Sequence, residues 1–257
     1  MMVWHNDVGP ATRDGAPVAL VTGANRGLGR ETARQLAERG ARVLLGSRDP
    51  DRGAAVAAEL AAAGASVRPV RLDVTDPATV RAAAAEIDEI HGRLDILVNN
   101  AGISIAAPAA ETDGALLRRV VDVNVVGAAD VICVFLPLLR RSAAPRIVNL
   151  SSTAASLTLT REHPDFGPEP DTRLAYTTSK AALNMLTVQY ANAFRREPGL
   201  RHIKINSVSP GYVATDLTRH RGTRTVTEGA GVVVRLATLP ADGPSGGFFD
   251  DKGSLPW

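Results

Sequence analysis

Five short apolar runs recur along the first 152 positions: VALVT at 18–22, ARVLLG at 41–46, VRPVRLD at 67–73, LDILVNN at 94–100 and RIVNLSS at 146–152. Each is apolar through most of its length, with none of the in-out alternation of a half-buried strand. That pattern belongs to parallel strands covered on both faces. Between them lie Ala/Leu/Arg stretches of helical length at 28–39, 51–63, 77–91 and 114–141. Pro77 directly after Asp76 is suited to the first helical position behind an N-cap. A helix at 173–196, a strand at 203–208, a helix at 227–239 and a last strand at 246–250 complete the alternation. The pattern predicts one α/β domain, doubly wound, with a parallel sheet of about seven strands and helices on both faces.

Composition agrees with a globular chain. Of 257 residues 45% are hydrophobic, 22% charged and only 4% aromatic, so the core is aliphatic. The net charge is +2, with 29 basic residues interleaved with 27 acidic ones and no long basic block, which argues against a nucleic-acid partner. Cys133 is the only cysteine, so no intrachain disulfide or cysteine-based metal cluster is available. Its apolar surroundings predict a core position. His163, His202 and His220 lack a metal-ligand spacing, and no metal is expected. The opening MMVWHNDVGPATRDGAP has no secretion-signal pattern, and no apolar run of about 18 residues follows. These features predict a soluble cytoplasmic protein with no membrane partner. The expected organisation is a flexible arm over residues 1–16 and a catalytic domain over 17–257. A Pro/Asp/Glu-rich inserted surface loop interrupts the alternation at about 158–172.

The first strand run ends in Thr22-Gly23-Ala24-Asn25-Arg26-Gly27-Leu28-Gly29 and leads straight into a helix. Gly23, Gly27 and Gly29 at such a turn let backbone approach a pyrophosphate, whose charge the helix N-terminus favours. This is a Rossmann-type arrangement, with GxxxGxG spacing in place of the more general GxGxxG. The second strand run ends Gly46-Ser47-Arg48, where an NAD-binding protein usually offers a carboxylate to the adenosine ribose. That carboxylate is missing. Arg48, with Arg26 and Arg52 close by, suits a 2′-phosphate. NADP(H) is therefore favoured over NAD(H), although Asp49 is placed to neutralise one of these arginines.

Tyr176-Thr177-Thr178-Ser179-Lys180 opens a predicted helix, so Tyr176 and Lys180 share one face a turn apart. Alone the pair means little. Together with TGANRGLG at 22–29, NNAG at 99–102, Asn124, Ser152 in NLSS and PGYVAT at 210–215, it resembles the short-chain dehydrogenase/reductase family over nearly the whole chain. The resemblance implies an oxidoreductase that moves hydride between a nicotinamide and a carbonyl or secondary alcohol. It implies Tyr176 as general acid/base, Lys180 as the cation favouring its phenolate and holding the nicotinamide ribose, Ser152 as donor to the substrate oxygen, and Asn124 in the proton relay. Cofactor contacts then fall on Asn25, Arg26 and Leu28 of the turn and on Asp73 and Val74 against the adenine. Asn100, Ala101 and Gly102 fall beneath the adenine ribose, and Pro210, Gly211, Val213 and Thr215 against the carboxamide. Asn99 is expected to brace the strands.

The chain departs from many relatives in the stretch between Ser152 and Tyr176, which is longer here. Similar insertions, the GSRDPDRG segment and the ending GGFFDDKGSLPW resemble the monomeric carbonyl-reductase branch. An insertion beside the Tyr/Lys helix favours a monomer, with a homo-oligomer left open. The segment 216–227, DLTRHRGTRTVT, is short and basic for a substrate lid, which points to an open cleft accepting acidic or bulky substrates. Two other readings stay open: an NAD-dependent alcohol dehydrogenase, and a regulator of the same fold that senses the dinucleotide without turnover.

Overall fold

The computed structural model describes residues 15–163 and 169–257. Most of the expected arm, residues 1–14, and the middle of the expected loop lie outside the described residues. Strands β1 (Val18–Val21), β2 (Arg42–Ser47), β3 (Val67–Arg71), β4 (Ile96–Asn99), β5 (Arg146–Leu150), β6 (Lys204–Val208) and β7 (Phe248–Phe249) form one parallel sheet in the order β3-β2-β1-β4-β5-β6-β7. The order reverses direction between β1 and β4. The crevice beyond the carboxyl ends of those two strands is where ligands bind in open α/β sheets.

Helices α1 (Gly27–Glu38), α2 (Pro50–Ala62), α3 (Pro77–His91), α4 (Gly114–Val121), α5 (Gly127–Arg140), α6 (Leu157–Glu162), α7 (Leu174–Arg196) and α8 (Val226–Ala237) connect or cover the strands. Asp49 and Asp76 cap α2 and α3 by accepting from Arg52 N–H and Ala78 N–H, with Pro50 and Pro77 in the first turns. Two aliphatic cores result, one on each face. The α1/α8 face buries Val21, Leu36, Leu45, Val98, Val148 and Val233, and the α3/α5 face buries Leu20, Ile87, Leu97, Ile132, Phe135 and Ile147.

Four expectations need correction. The 114–141 stretch is α4 and α5 joined through a wider π-turn at Asp122–Val126, which holds Asn124. The continuous rod is long and apolar enough by length and composition to cross a membrane, contrary to the sequence expectation. Here it packs as a core helix: Val131, Ile132, Phe135, Leu138 and Leu139 are buried. Cys133 lies on its exposed side, because a position two residues before Phe135 falls off the stripe that meets the sheet. The insertion opens as helix, not loop. Ser156 caps α6 through Leu159 N–H, and Thr158 donates to Trp257 O from both its N–H (3.0 Å) and its Oγ1 (2.8 Å).

Candidate active site

The glycine turn is a close-fitted cradle. Gly23 (φ +61°) and Gly27 (φ +52°) adopt left-handed backbone. A Cβ on Gly29 would stand 2.4 Å from Asn100 Nδ2 and 2.7 Å from Gly23 O, and one on Gly23 would stand 2.9 Å from Ala101 Cα. Asn100 binds the turn directly, its Nδ2 donating to Thr22 O (2.8 Å) and Gly23 O (3.0 Å). Thr22 Oγ1 accepts from the N–H groups of Asn100 and Ala101, both at 3.0 Å. Arg26, at the N-cap of α1, makes no side-chain cap, and no acidic residue lies in the first turn. The helix therefore presents uncapped N–H donors and positive potential beside backbone stripped of side chains. A dinucleotide pyrophosphate fits that arrangement.

The three arginines are not equivalent. Arg26 pairs with Asp216 at 2.8 Å, and Arg52 pairs with its own helix cap Asp49 at 3.2 Å. Arg48 is exposed and has no ion pair among the described residues. Of the proposed adenine contacts, Asp73 is occupied locally, accepting from Thr75 N–H and Oγ1. Val74 packs against Gly127, where an added Cβ would come within 2.8 Å of its side chain.

Tyr176, Lys180 and Ser152 converge at the carboxyl end of β5. Lys180, buried near the start of α7, donates from Nζ to Leu150 O at 2.6 Å and stands 5.8 Å from the Tyr176 ring centroid. Ser152 Oγ, which accepts from Ala154 N–H at 3.3 Å, lies close enough to the Tyr176 phenol to influence its ionisation. Burial pushes the Tyr176 phenol up to about 12, with Ser152 pulling the other way. Burial also brings Lys180 down to about 8. Asn124, fully buried, clamps the loop after β4: its Oδ1 accepts from Ile103 N–H (2.8 Å) and its Nδ2 donates to Ile103 O (2.9 Å) and Ser179 Oγ (2.9 Å). Gly102 leaves room between these groups, since a Cβ there would meet Asn124 Oδ1 at 3.3 Å and Lys180 Nζ at 3.4 Å.

The loop after β6 returns over the cradle. Gly211 has φ +82°, Val213 bridges to Arg224, and Thr215 lies beside Gly27. Ser209, just before Pro210, accepts from Thr153 N–H and so ties this loop to the Ser152 segment. Ion pairs set the rim: Arg221 reaches Glu169 across the cleft mouth at 2.7 Å, and Arg224 reaches Asp251 at 3.0 Å.

Sequence reasoning passed over a buried polar ladder beneath α7. Asn99 Nδ2 donates to Asn149 Oδ1 (2.9 Å), Asn149 Nδ2 to Thr187 Oγ1 (2.9 Å), and Thr187 shares a hydroxyl bond with Ser207 (2.8 Å). The bracing role expected of Asn99 thus extends to a helix. The available signal was polar residues at sheet-facing positions of otherwise apolar strands. Ser179 was also passed over: it donates to Tyr176 O at 2.7 Å while accepting from Asn124, linking α7 to the π-turn.

A glycine cradle at the sheet's crossover and a Ser–Tyr–Lys cluster at its carboxyl edge define a dehydrogenase-type site on a doubly wound sheet. The model of the short chain dehydrogenase family matches residues 17–225, and the chain belongs to that family of oxidoreductases. It is 36% identical to (+)-neomenthol dehydrogenase of Arabidopsis thaliana, covering 91% of this chain and 96% of that protein. It is 32% identical to salutaridine reductase of Papaver somniferum, covering 90% and 93%. Among solved structures, NADPH-bound carbonyl reductase from chicken fatty liver superposes with a TM-score of 0.82 at 31% identity, covering 94% of this chain and 99% of the other.

Proposed function

We propose that the protein is an NADP(H)-dependent carbonyl reductase or alcohol dehydrogenase in which Tyr176 transfers the proton. The observation that carries this reading is the placement of the buried Lys180 ammonium 5.8 Å from the Tyr176 ring and on Leu150 O, at the end of the strand that leads to Ser152. The cradle of Gly23, Gly27 and Gly29 with the first turn of α1 would hold the pyrophosphate, Arg48 the 2′-phosphate, and Lys180 the nicotinamide ribose. Arg26 and Arg52 contribute less than the sequence led us to expect, since each already has a carboxylate. When bound, the nicotinamide supplies or accepts the hydride.

The rest is the work of the chain. With the phenol held near 12, Tyr176 is fully protonated at neutral pH and donates to the carbonyl oxygen as charge develops there. Ser152 donates a second hydrogen bond to that oxygen. Below about pH 8 Lys180 is a cation, and its proximity lowers the cost of the phenolate left behind. Asn124 keeps the loop after β4 and helix α7 in register. Chicken carbonyl reductase is described as NADPH-bound, and an oxidoreductase from a metagenome, 31% identical to this chain, was solved with NADP, which supports the same cofactor here.

Ketones, aldehydes, quinones and secondary alcohols assayed with NADPH and with NADH test the reading. The expected result is carbonyl reduction at least tenfold more efficient with NADPH, a preference that Arg48→Asp weakens or reverses. Tight NADPH binding with no turnover on any substrate would overturn it in favour of a dinucleotide sensor. The compartment and the monomeric state are part of the same proposal. Light scattering that finds a stable tetramer would remove the idea that the insertion blocks association through α7.

A further inference from the structure

Arg173 stands immediately before α7 and was given no role by its sequence context. Its backbone is fixed: Arg173 O accepts from Thr177 N–H (2.9 Å) and Thr177 Oγ1 (3.0 Å), and the preceding Thr172 O accepts from Ala107 N–H (3.1 Å) in the loop after β4. It is the N-cap residue of α7, three residues before Tyr176 in the first turn. The side chain is half-buried, yet it makes no hydrogen bond or ion pair among the described residues. Glu169, four residues earlier, is committed to Arg221.

The placement is unfavourable twice. Burial pulls the guanidinium below the usual arginine range, with no carboxylate acting in the other direction. The amino end of a 23-residue helix also carries positive potential, where a cation is repelled. Other rim arginines are differently placed: Arg221 and Arg224 have carboxylate partners, and Arg219 is exposed. A partly desolvated cation three residues from the catalytic tyrosine, with no partner among the described residues, is accounted for when an anion arrives with the substrate.

We infer that Arg173 is a specificity-determining residue that binds a carboxylate carried by the substrate a few bonds from its reacting carbonyl, so that the preferred substrates are oxo acids. This inference rests on the proposed function for the location of the reacting carbonyl. It goes beyond it in naming the anion and the residue that takes it. A planar guanidinium matches a carboxylate with two parallel hydrogen bonds, which a lysine ammonium does not reproduce.

The test is equilibrium binding of 4-oxopentanoate and 6-oxoheptanoate, each against its methyl ester, to the enzyme holding NADP+, in which no hydride is available. At least one acid should bind about tenfold or more tightly than its ester to the wild type. That ratio should fall to within about twofold in Arg173→Met and be intermediate in Arg173→Lys. The melting temperature of cofactor-free Arg173→Met should equal or exceed that of the wild type. Equal affinity for acid and ester in the wild type, or an acid preference retained in Arg173→Met, would overturn the inference. So would a fall in melting temperature with acid and ester weakened alike. Should Arg173→Met not fold, Arg173→Lys and the loss of the wild-type ratio in high salt give the same decision. Acid preference without turnover would overturn only the proposed function, and turnover without acid preference only the role of Arg173.

Discussion

The two sides of the cleft are built on different physical principles. On the cofactor side, the cradle is fixed by sterics and buried hydrogen bonds: Asn100 holds two carbonyls of the turn, Thr22 holds two N–H groups, and Gly29 has no room for even a methyl group. On the substrate side, the rim is held mainly by wholly or partly exposed ion pairs, Arg221 with Glu169 and Arg224 with Asp251. Close packing transmits any change, whereas exposed ion pairs contribute little and exchange readily. Under the proposed assignment of the two sides, the difference teaches that cofactor geometry is held rigid and substrate geometry is left adjustable. Ser152, Tyr176 and Lys180 sit at the seam.

The largest effect is expected at the seam. Ser152→Ala should lower kcat on the order of 10²–10³-fold, as loss of a donor to developing oxyanion charge does elsewhere, with little change in melting temperature. A loss under tenfold would move Ser152 out of the chemistry. On the cofactor side, Gly29→Ala forces a methyl group into Asn100 and should cost about 1–3 kcal/mol of stability together with NADPH affinity. Unchanged melting and affinity in a calorimeter would show that the cradle is not rigid.

Lys180→Met separates function from stability. Lys180 is held at about 8, below its unfolded value of about 10.4. The unfolded chain therefore binds more protons between those values, and stability rises with pH across that window. Below pH 8 the full cost of burying the charge is present. The variant should be inactive, more stable than the wild type at pH 7 by on the order of 2 kcal/mol, and equal to it near pH 11. Lower stability at pH 7 would contradict the burial cost assigned to Lys180. The smallest effect belongs to the substrate side: Glu169→Gln removes an exposed pair and should leave melting unchanged while shifting KM a fewfold. Collapse of folding there would erase the contrast between the two sides.

What the sequence disclosed divides along the same seam. The cradle was legible because only glycine serves where a Cβ would strike Asn100 or Ala101, so the constraint is written in residue identity. Tyr176, Lys180 and Ser152 were legible through their order along the chain. The pairing of Arg26 with Asp216 was not, since it joins residues far apart in sequence and either could have faced solvent. The α6 helix inside the insertion was missed because its six residues are too few to show a period, and its cap by Ser156 and tie to Trp257 are tertiary facts. Cys133 was misplaced because an apolar helix says little about which side meets the core. Arg173 left no signal at all, as an isolated arginine before a helix is ordinary until its lack of a partner among the described residues is seen.

The central claim is that Tyr176 moves the proton on a site that binds its cofactor independently of that group. Single-turnover reduction by Tyr176→Phe, with NADPH affinity measured on the same protein, tests it most directly. The account predicts a fall in the hydride-transfer rate of about 10²–10⁴-fold with affinity within about twofold of wild type. A rate within tenfold of wild type, or loss of NADPH binding equal to the loss of rate, would contradict it.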